Sequence, residues 1–115
     1  MNNQHLDYDA LNALKDIMEE NFVFLIETFI QDSAERLSQL QIMVNAIGTP
    51  NDTIRRAAHS FKGSCSNIGA PYLANLCSLV ETKVHNGDSI GLPADVKLIE
   101  QEFVVVKKLL MDYLG

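Results

Sequence analysis

The chain has no tryptophan, only two cysteines and three prolines among its 115 residues, and no surplus of basic charge. Each shortage excludes something. Two cysteines are too few for the disulfide framework of a small secreted domain, and Cys65 and Cys77 both fall at apolar positions of helical patterns, so they read as reduced core residues. The scarcity of proline leaves long stretches uninterrupted, as helices require. A formal net charge of -6 argues against nucleic acid as a partner, because phosphate binding draws on a Lys/Arg surplus. Long hydrophobic runs are missing too. The greasiest segment, Phe22 to Ile30, is broken by Glu27 and Thr28 and is too short to span a bilayer. The start, MNNQHLDYDA, has no basic stretch leading into an apolar one, so no signal peptide is expected. The expectation is a cytoplasmic protein with no membrane partner.

What is present is a globular balance, 47% hydrophobic and 21% charged, in a length suited to a single domain with one core. Apolar residues recur at steps of three and four, and strict alternation is nearly absent, which predicts an all-α fold. A short first helix is expected over about 9–18, with Leu11, Leu14 and Ile17 or Met18 on one face and Asp7 or Asp9 as cap. A long helix over about 20–46 carries the stripe Phe22, Ile26, Phe29, Ser33, Leu37, Leu40, Val44 and Ile47. Gly48-Thr49-Pro50-Asn51 is a stop-and-turn signal. Further helices are expected over about 52–68, closed by Gly69, over about 71–86, with Pro71 in its first turn, and over about 93–113. Four long amphipathic helices joined by short turns form an antiparallel four-helix bundle most economically, with the short N-terminal helix capping one end.

The informative segment is RRAAHSFKGSCSNIG, Arg55 to Gly69. On a helical wheel with His59 at zero, Ile54, Ala57, Ala58, Phe61, Cys65 and Ile68 fall at roughly 160° to 260°. Asp52, Arg55, Arg56, Lys62, Gly63 and Ser66 surround the histidine. The core stripe is complete without His59, so the ring is expected to face solvent or a partner. Gly63, one turn on and on the same face, costs about 1 kcal/mol relative to alanine and packs nothing of its own. It does remove bulk beside the imidazole, and Lys62 lies within reach of anything attached to the ring. A neutral imidazole nitrogen is nucleophilic near neutral pH, and a P–N bond stays reactive enough to pass a phosphoryl group on. A neighbouring cation offsets charge on the equatorial oxygens. Lys62 is the candidate, with Arg55 and Arg56 as a wider positive fringe or simply a solvated helix face.

His59-Ser-Phe-Lys-Gly-Ser-Cys-Ser-Asn-Ile-Gly-Ala70 resembles the signature of the histidine-containing phosphotransfer (HPt) domain family, a histidine followed by Lys-Gly at the third and fourth positions. The order of helices is similar over essentially the whole chain, and it looks like the stand-alone HPt proteins of bacterial multistep phosphorelays. The resemblance implies His59 as the phosphorylated residue, Lys62 as electrostatic helper and Gly63 as clearance for docking. Ser66 would be a contact or hydrogen-bonding residue. By count, Glu81 matches a position on the next helix where family members often carry Gln or Glu; it would orient the imidazole, or be a surface charge. The implied partners are receiver domains of a hybrid sensor kinase and of a response regulator, with any Mg ion belonging to the receiver. No cofactor is expected in this chain, and a monomer suffices.

Other classes fit less well. Ser60 and Ser64 lack a nucleophile-elbow setting, there is no Gly-rich phosphate loop, and His5, His59 and His85 are too scattered for a metal site. An enzyme acting alone is therefore not expected. A helical docking or adaptor module without phosphoryl chemistry remains the alternative, and the His59–Lys62–Gly63 triplet is what it leaves unexplained. The docking surface is expected to have an apolar part near the motif, drawn from the end of the second helix and the edge of the third.

Overall fold

A computed structural model of the chain describes residues 4–115; Met1 to Asn3, the first part of the start read above, lie outside the described residues. The elements are α1 (Tyr8–Met18), a 3₁₀ turn (Glu19–Asn21), α2 (Phe22–Asn45), α3 (Asn51–Ile68), α4 (Pro71–His85) and α5 (Leu92–Leu114). Helices α2 to α5 form a closed ring of neighbours, α2–α3, α3–α4, α4–α5 and α5–α2, with α3–α4 the most extensive seam. Short connections make successive helices antiparallel.

The core follows the apolar stripes. Phe61, Leu40, Ile26, Val80, Ile99 and Leu110 are among its fully buried side chains, each contributing about 1.5–3 kcal/mol on burial. The buried stripe sets how α3 is rotated, since the roughly 1 kcal/mol cost of a mid-helix glycine is the same whichever face it occupies. Cys65 and Cys77 are buried free thiols. The Cys65 thiol donates to Cys77 and is buried, and both push it far above its ordinary range, so both cysteines are packing residues. Ser33 is fully buried on the α2 stripe, as its position implied, with no partner for its hydroxyl among the described residues.

Helix α1 lies where α5 ends and α2 begins. Asp7 is its N-cap, accepting from the Ala10 amide at 3.1 Å, and Tyr113 of α5 meets Asn12, Tyr8 and Phe22 there. Of the two residues considered for its inner face, Met18 packs against the core while Ile17 is exposed. Residues 4–7 strap the α3–α4 corner. The Asp7 amide donates to Gly69 O at 2.8 Å, the Tyr72 amide donates to Gln4 O at 3.1 Å, and Leu6 is buried. Gly69 takes φ 84°, a conformation that favours glycine, and a Cβ there would sit tightly at 3.3 Å from Ala10 Cβ. His5 donates from Nδ1 to the buried Glu102 at 2.8 Å, tying the strap to α5.

The second helix departs most from the sequence reading. It begins at Phe22, because the 3₁₀ turn and a positive φ of 53° at Glu19 separate it from α1. It ends at Asn45, where Ala46 turns extended and the Asn45 side chain bonds back to Gln41 O. Ile47, expected as the last stripe position, is therefore in the turn and fully exposed. The breakers Gly48 and Pro50 act earlier than hydrophobic periodicity suggests.

Candidate functional site

Helix α3 is amphipathic along its whole length, and its buried face of Ile54, Ala58, Phe61, Cys65 and Ile68 turns His59 outward. The imidazole side chain is 63% exposed, yet it is not free to rotate. Nδ1 lies 2.6 Å from Glu81 Oε2, and Lys62 Nζ donates to the other oxygen, Oε1, also at 2.6 Å. An ionised carboxylate only accepts, so Nδ1 carries the ring proton and Nε2 presents its lone pair outward. Glu81 sits one turn before the end of α4, half-buried against the α3 seam. The Lys62 hydrogen bond holds its carboxyl below the usual carboxylate range; burial opposes this and the His59 hydrogen bond adds to it. One carboxylate thus binds both the ring and the cation, a link between α3 and α4 that counting along the chain indicated only as one of two options.

Gly63 is exposed, and a Cβ built on it would meet nothing within 4 Å. No packing demand explains the glycine; open space beside the imidazole is what it leaves. Ser66 continues the same exposed face. The arginines, read as a wider positive fringe or a solvated helix face, both meet one carboxylate. Arg55 donates to Asp52 Oδ1 at 2.7 Å, and Arg56 lies 3.0 Å from Asp52 Oδ2. The Arg55 hydrogen bond, then the Arg56 charge, lower the Asp52 carboxyl from its ordinary range. Asp52 stands in the first turn of α3, three and four residues ahead of its partners, which is the spacing at which helical side chains meet. Much of the positive charge near His59 is thereby compensated.

On the other flank of α3 a groove of about 350 Å³ runs between α1, α2 and the end of α3, lined by Leu14, Met18, Leu25, Phe29, Asp32 and Ile68 among others. It is mostly apolar, and Ile17, Val23 and Phe24 lie exposed on the same two helices. The sequence reading expected the end of the second helix here. Because α2 runs antiparallel to α3, it is the start of α2 that lies beside Ile68. Among the described residues no group of three or more His, Cys, Asp or Glu side chains is placed to hold a metal, and no helix is long and apolar enough to cross a membrane.

No curated protein sequence matches the chain significantly. Among solved structures it is similar to histidine-containing phosphotransfer protein B (HptB) from Pseudomonas aeruginosa PAO1, at 36% identity and a TM-score of 0.90, over 97% of this chain and 96% of that one. The fold is shared with ZmHP2 of maize, at 16% identity and a TM-score of 0.85, covering 96% of this chain and 89% of that one. MtHPt2 of Medicago truncatula shares it too, at 24% identity and 0.79, over 96% and 76%. The model of the Hpt domain matches residues 25–110, which include the whole of the His59 face; the chain belongs to the Hpt domain family and is a phosphotransfer protein of a phosphorelay.

Proposed function

We propose that His59 accepts a phosphoryl group on Nε2 from the aspartyl phosphate of one receiver domain and passes it to the aspartate of another. The observation that carries this reading is the tether between His59 Nδ1 and Glu81, which leaves the second ring nitrogen outward. In the first half-reaction the Nε2 lone pair attacks phosphorus. The Nε2–P bond forms as the P–O bond breaks, and the receiver's aspartate leaves as a carboxylate. The ring becomes an imidazolium still bearing its Nδ1 proton, with the Glu81 carboxylate against it. In the second, a receiver carboxylate attacks phosphorus and the ring departs as neutral imidazole. No proton moves in either direction, because Glu81 holds the same one throughout.

Lys62 supplies the positive charge beside the phosphoryl oxygens, and Gly63 gives the receiver room to approach. The chain does no chemistry alone: the receiver brings the second reacting group, and any divalent ion belongs to it. On this reading the protein works in the cytoplasm as a monomer.

The test is incubation with a panel of phosphorylated receiver domains. The expected product is a phosphoprotein that is labile in acid and stable in base, formed by the wild type and not by His59→Gln. Equal labelling of the two proteins would sink the proposal.

A further inference from the structure

Glu102 is the one charged side chain among the described residues that is buried, at 5% exposed, and the carrier chemistry makes no use of it. Taking a carboxylate out of water is costly unless hydrogen bonds replace those it loses. His5 answers it from outside the bundle: Nδ1 lies 3.0 and 2.8 Å from the two carboxylate oxygens, while the side chain stays 47% exposed. A pair of this kind adds little net stability over apolar residues of similar size, because desolvation offsets the attraction. What it fixes is position. A leucine in the strap could slide along an apolar wall, whereas the imidazole must stand where it reaches Glu102.

That position is passed on to α1. Two residues after His5, the Asp7 amide donates to Gly69 O at the end of α3, and the Asp7 side chain caps α1 through the Ala10 amide. The C-terminal end of α1 is fixed by the 3₁₀ turn into α2, so its tilt is decided at the N-terminal end, where the strap and Tyr113 hold it. Leu14 and Met18 of α1 then form one wall of the apolar groove beside Ile68. We infer that His5 and Glu102 are positioning residues for receiver docking: their clasp sets the strap, the strap sets α1, and α1 sets the width of the groove. The inference rests on the carrier reading, in which a receiver meets the apolar surface next to His59. Neither residue touches the phosphoryl group, so the clasp governs how well a receiver binds and leaves the chemistry at Nε2 alone.

The experiment compares wild type, Glu102→Leu, His5→Leu and His5→Asn for transfer from a phosphorylated receiver across a range of receiver concentrations. Phosphoramidate serves as a small phosphoryl donor that needs no docking, and thermal unfolding and amide exchange are followed on the same proteins. Leucine fills the place of Glu102 without a buried charge, so Glu102→Leu is expected to be at least as stable as wild type. Its half-saturating receiver concentration should nonetheless rise about fivefold, with the rate at saturation within about twofold of wild type. Amide exchange should quicken in α1 ahead of α2 to α5. His5→Leu should lose affinity in the same way and also lose stability, because the carboxylate is left without its donor. His5→Asn should recover most of the affinity, since its amide nitrogen can donate close to where Nδ1 does. All four proteins should take phosphate from phosphoramidate alike. A half-saturating concentration for Glu102→Leu within about twofold of wild type overturns the inference, even with faster exchange in α1, and leaves the carrier reading standing. A slower rate at saturation or reduced phosphoramidate labelling overturns it as well, by placing the effect on the chemistry. Labelling of the wild type by phosphoramidate but by no receiver removes the carrier reading, and this inference with it.

Discussion

The two flanks of the histidine-bearing helix are built on opposite terms. Toward α4 the charges near the ring are tied to carboxylates: Lys62 and His59 share Glu81, and Arg55 pairs with Asp52. Toward α2 the surface is an apolar groove with Asp32, which makes no ion pair among the described residues, at its rim. A site that must hold one proton and one ring orientation benefits from internal satisfaction, because preorganised groups need no rearrangement when charge develops. A surface that must recognise another protein benefits from being left incomplete. On the proposed function, chemistry and recognition would be divided between the two sides of one helix, and each side could be disturbed without the other.

The division is broken most severely from the α4 side. Glu81→Ala removes the acceptor for the Nδ1 proton and frees the ring, and transfer is expected to slow about a hundredfold whichever receiver is used. Glu81→Gln should recover part of that rate, since its carbonyl can still accept from Nδ1. Single-turnover transfer under receiver-saturating conditions measures both; a rate for Glu81→Ala near wild type would show that the tether is incidental. Gly63→Leu tests the open face. It should weaken receiver affinity about tenfold, about 1.4 kcal/mol, with the helical circular dichroism signal retained and phosphoramidate labelling unchanged. Loss of helicity would make Gly63 a packing residue despite the empty space around its Cα.

Lys62→Ala sharpens the comparison further, because Lys62 belongs to the chemical flank but is partly exposed. Transfer should slow about tenfold, with little change in receiver affinity. An effect on affinity alone would move Lys62 to the recognition side. Gly63→Ala has the smallest expected consequence for docking and should raise thermal stability by about 0.5–1 kcal/mol, since alanine gives up the conformational penalty of an exposed helical glycine. Stability and docking would then change in opposite directions at one residue.

The sequence made the chemical flank readable and the recognition flank much less so. His59, Lys62 and Gly63 lie within five consecutive residues of one helix, and helical periodicity alone sets their relative directions. Helix existence was legible for the same reason: each stripe from Phe22 to Leu110 has enough repeats to fix its phase. Ile47 was misplaced because periodicity says nothing about where a helix stops, and the turn chemistry of Gly48 and Pro50 decided it. Glu81 could be placed only by counting, since its contact spans a turn and a second helix. The pairing of both arginines with Asp52 was available from spacing but competes with many equally good pairs along a charged helix. Asp32 and Arg36 carry the opposite lesson. Spacing favours a bond between them, yet they make no ion pair among the described residues although both line one hollow with Glu35 and Gln39.

Acidity offers the finest test of the contrast, because only the α4 flank ties a depressed carboxyl to the reactive ring. Lys62, and secondarily His59, hold Glu81 below its ordinary value of 4.5. A carboxyl that is more acidic in the folded protein than in the unfolded chain binds its proton more readily once unfolded. Its stabilising contribution is present above the unfolded value and is lost as pH falls through the lower folded one. Glu81→Gln has no such proton to take up. The wild type should therefore be the more stable of the two near neutrality, and the difference should narrow below about pH 4.5 as Glu81 protonates. Urea midpoints recorded at pH 7, 5 and 3 measure it. A gap between the two proteins that stays constant across that range would mean that Glu81 holds its partners by shape and hydrogen bonding alone, and that the charge on the α4 flank is not what distinguishes it.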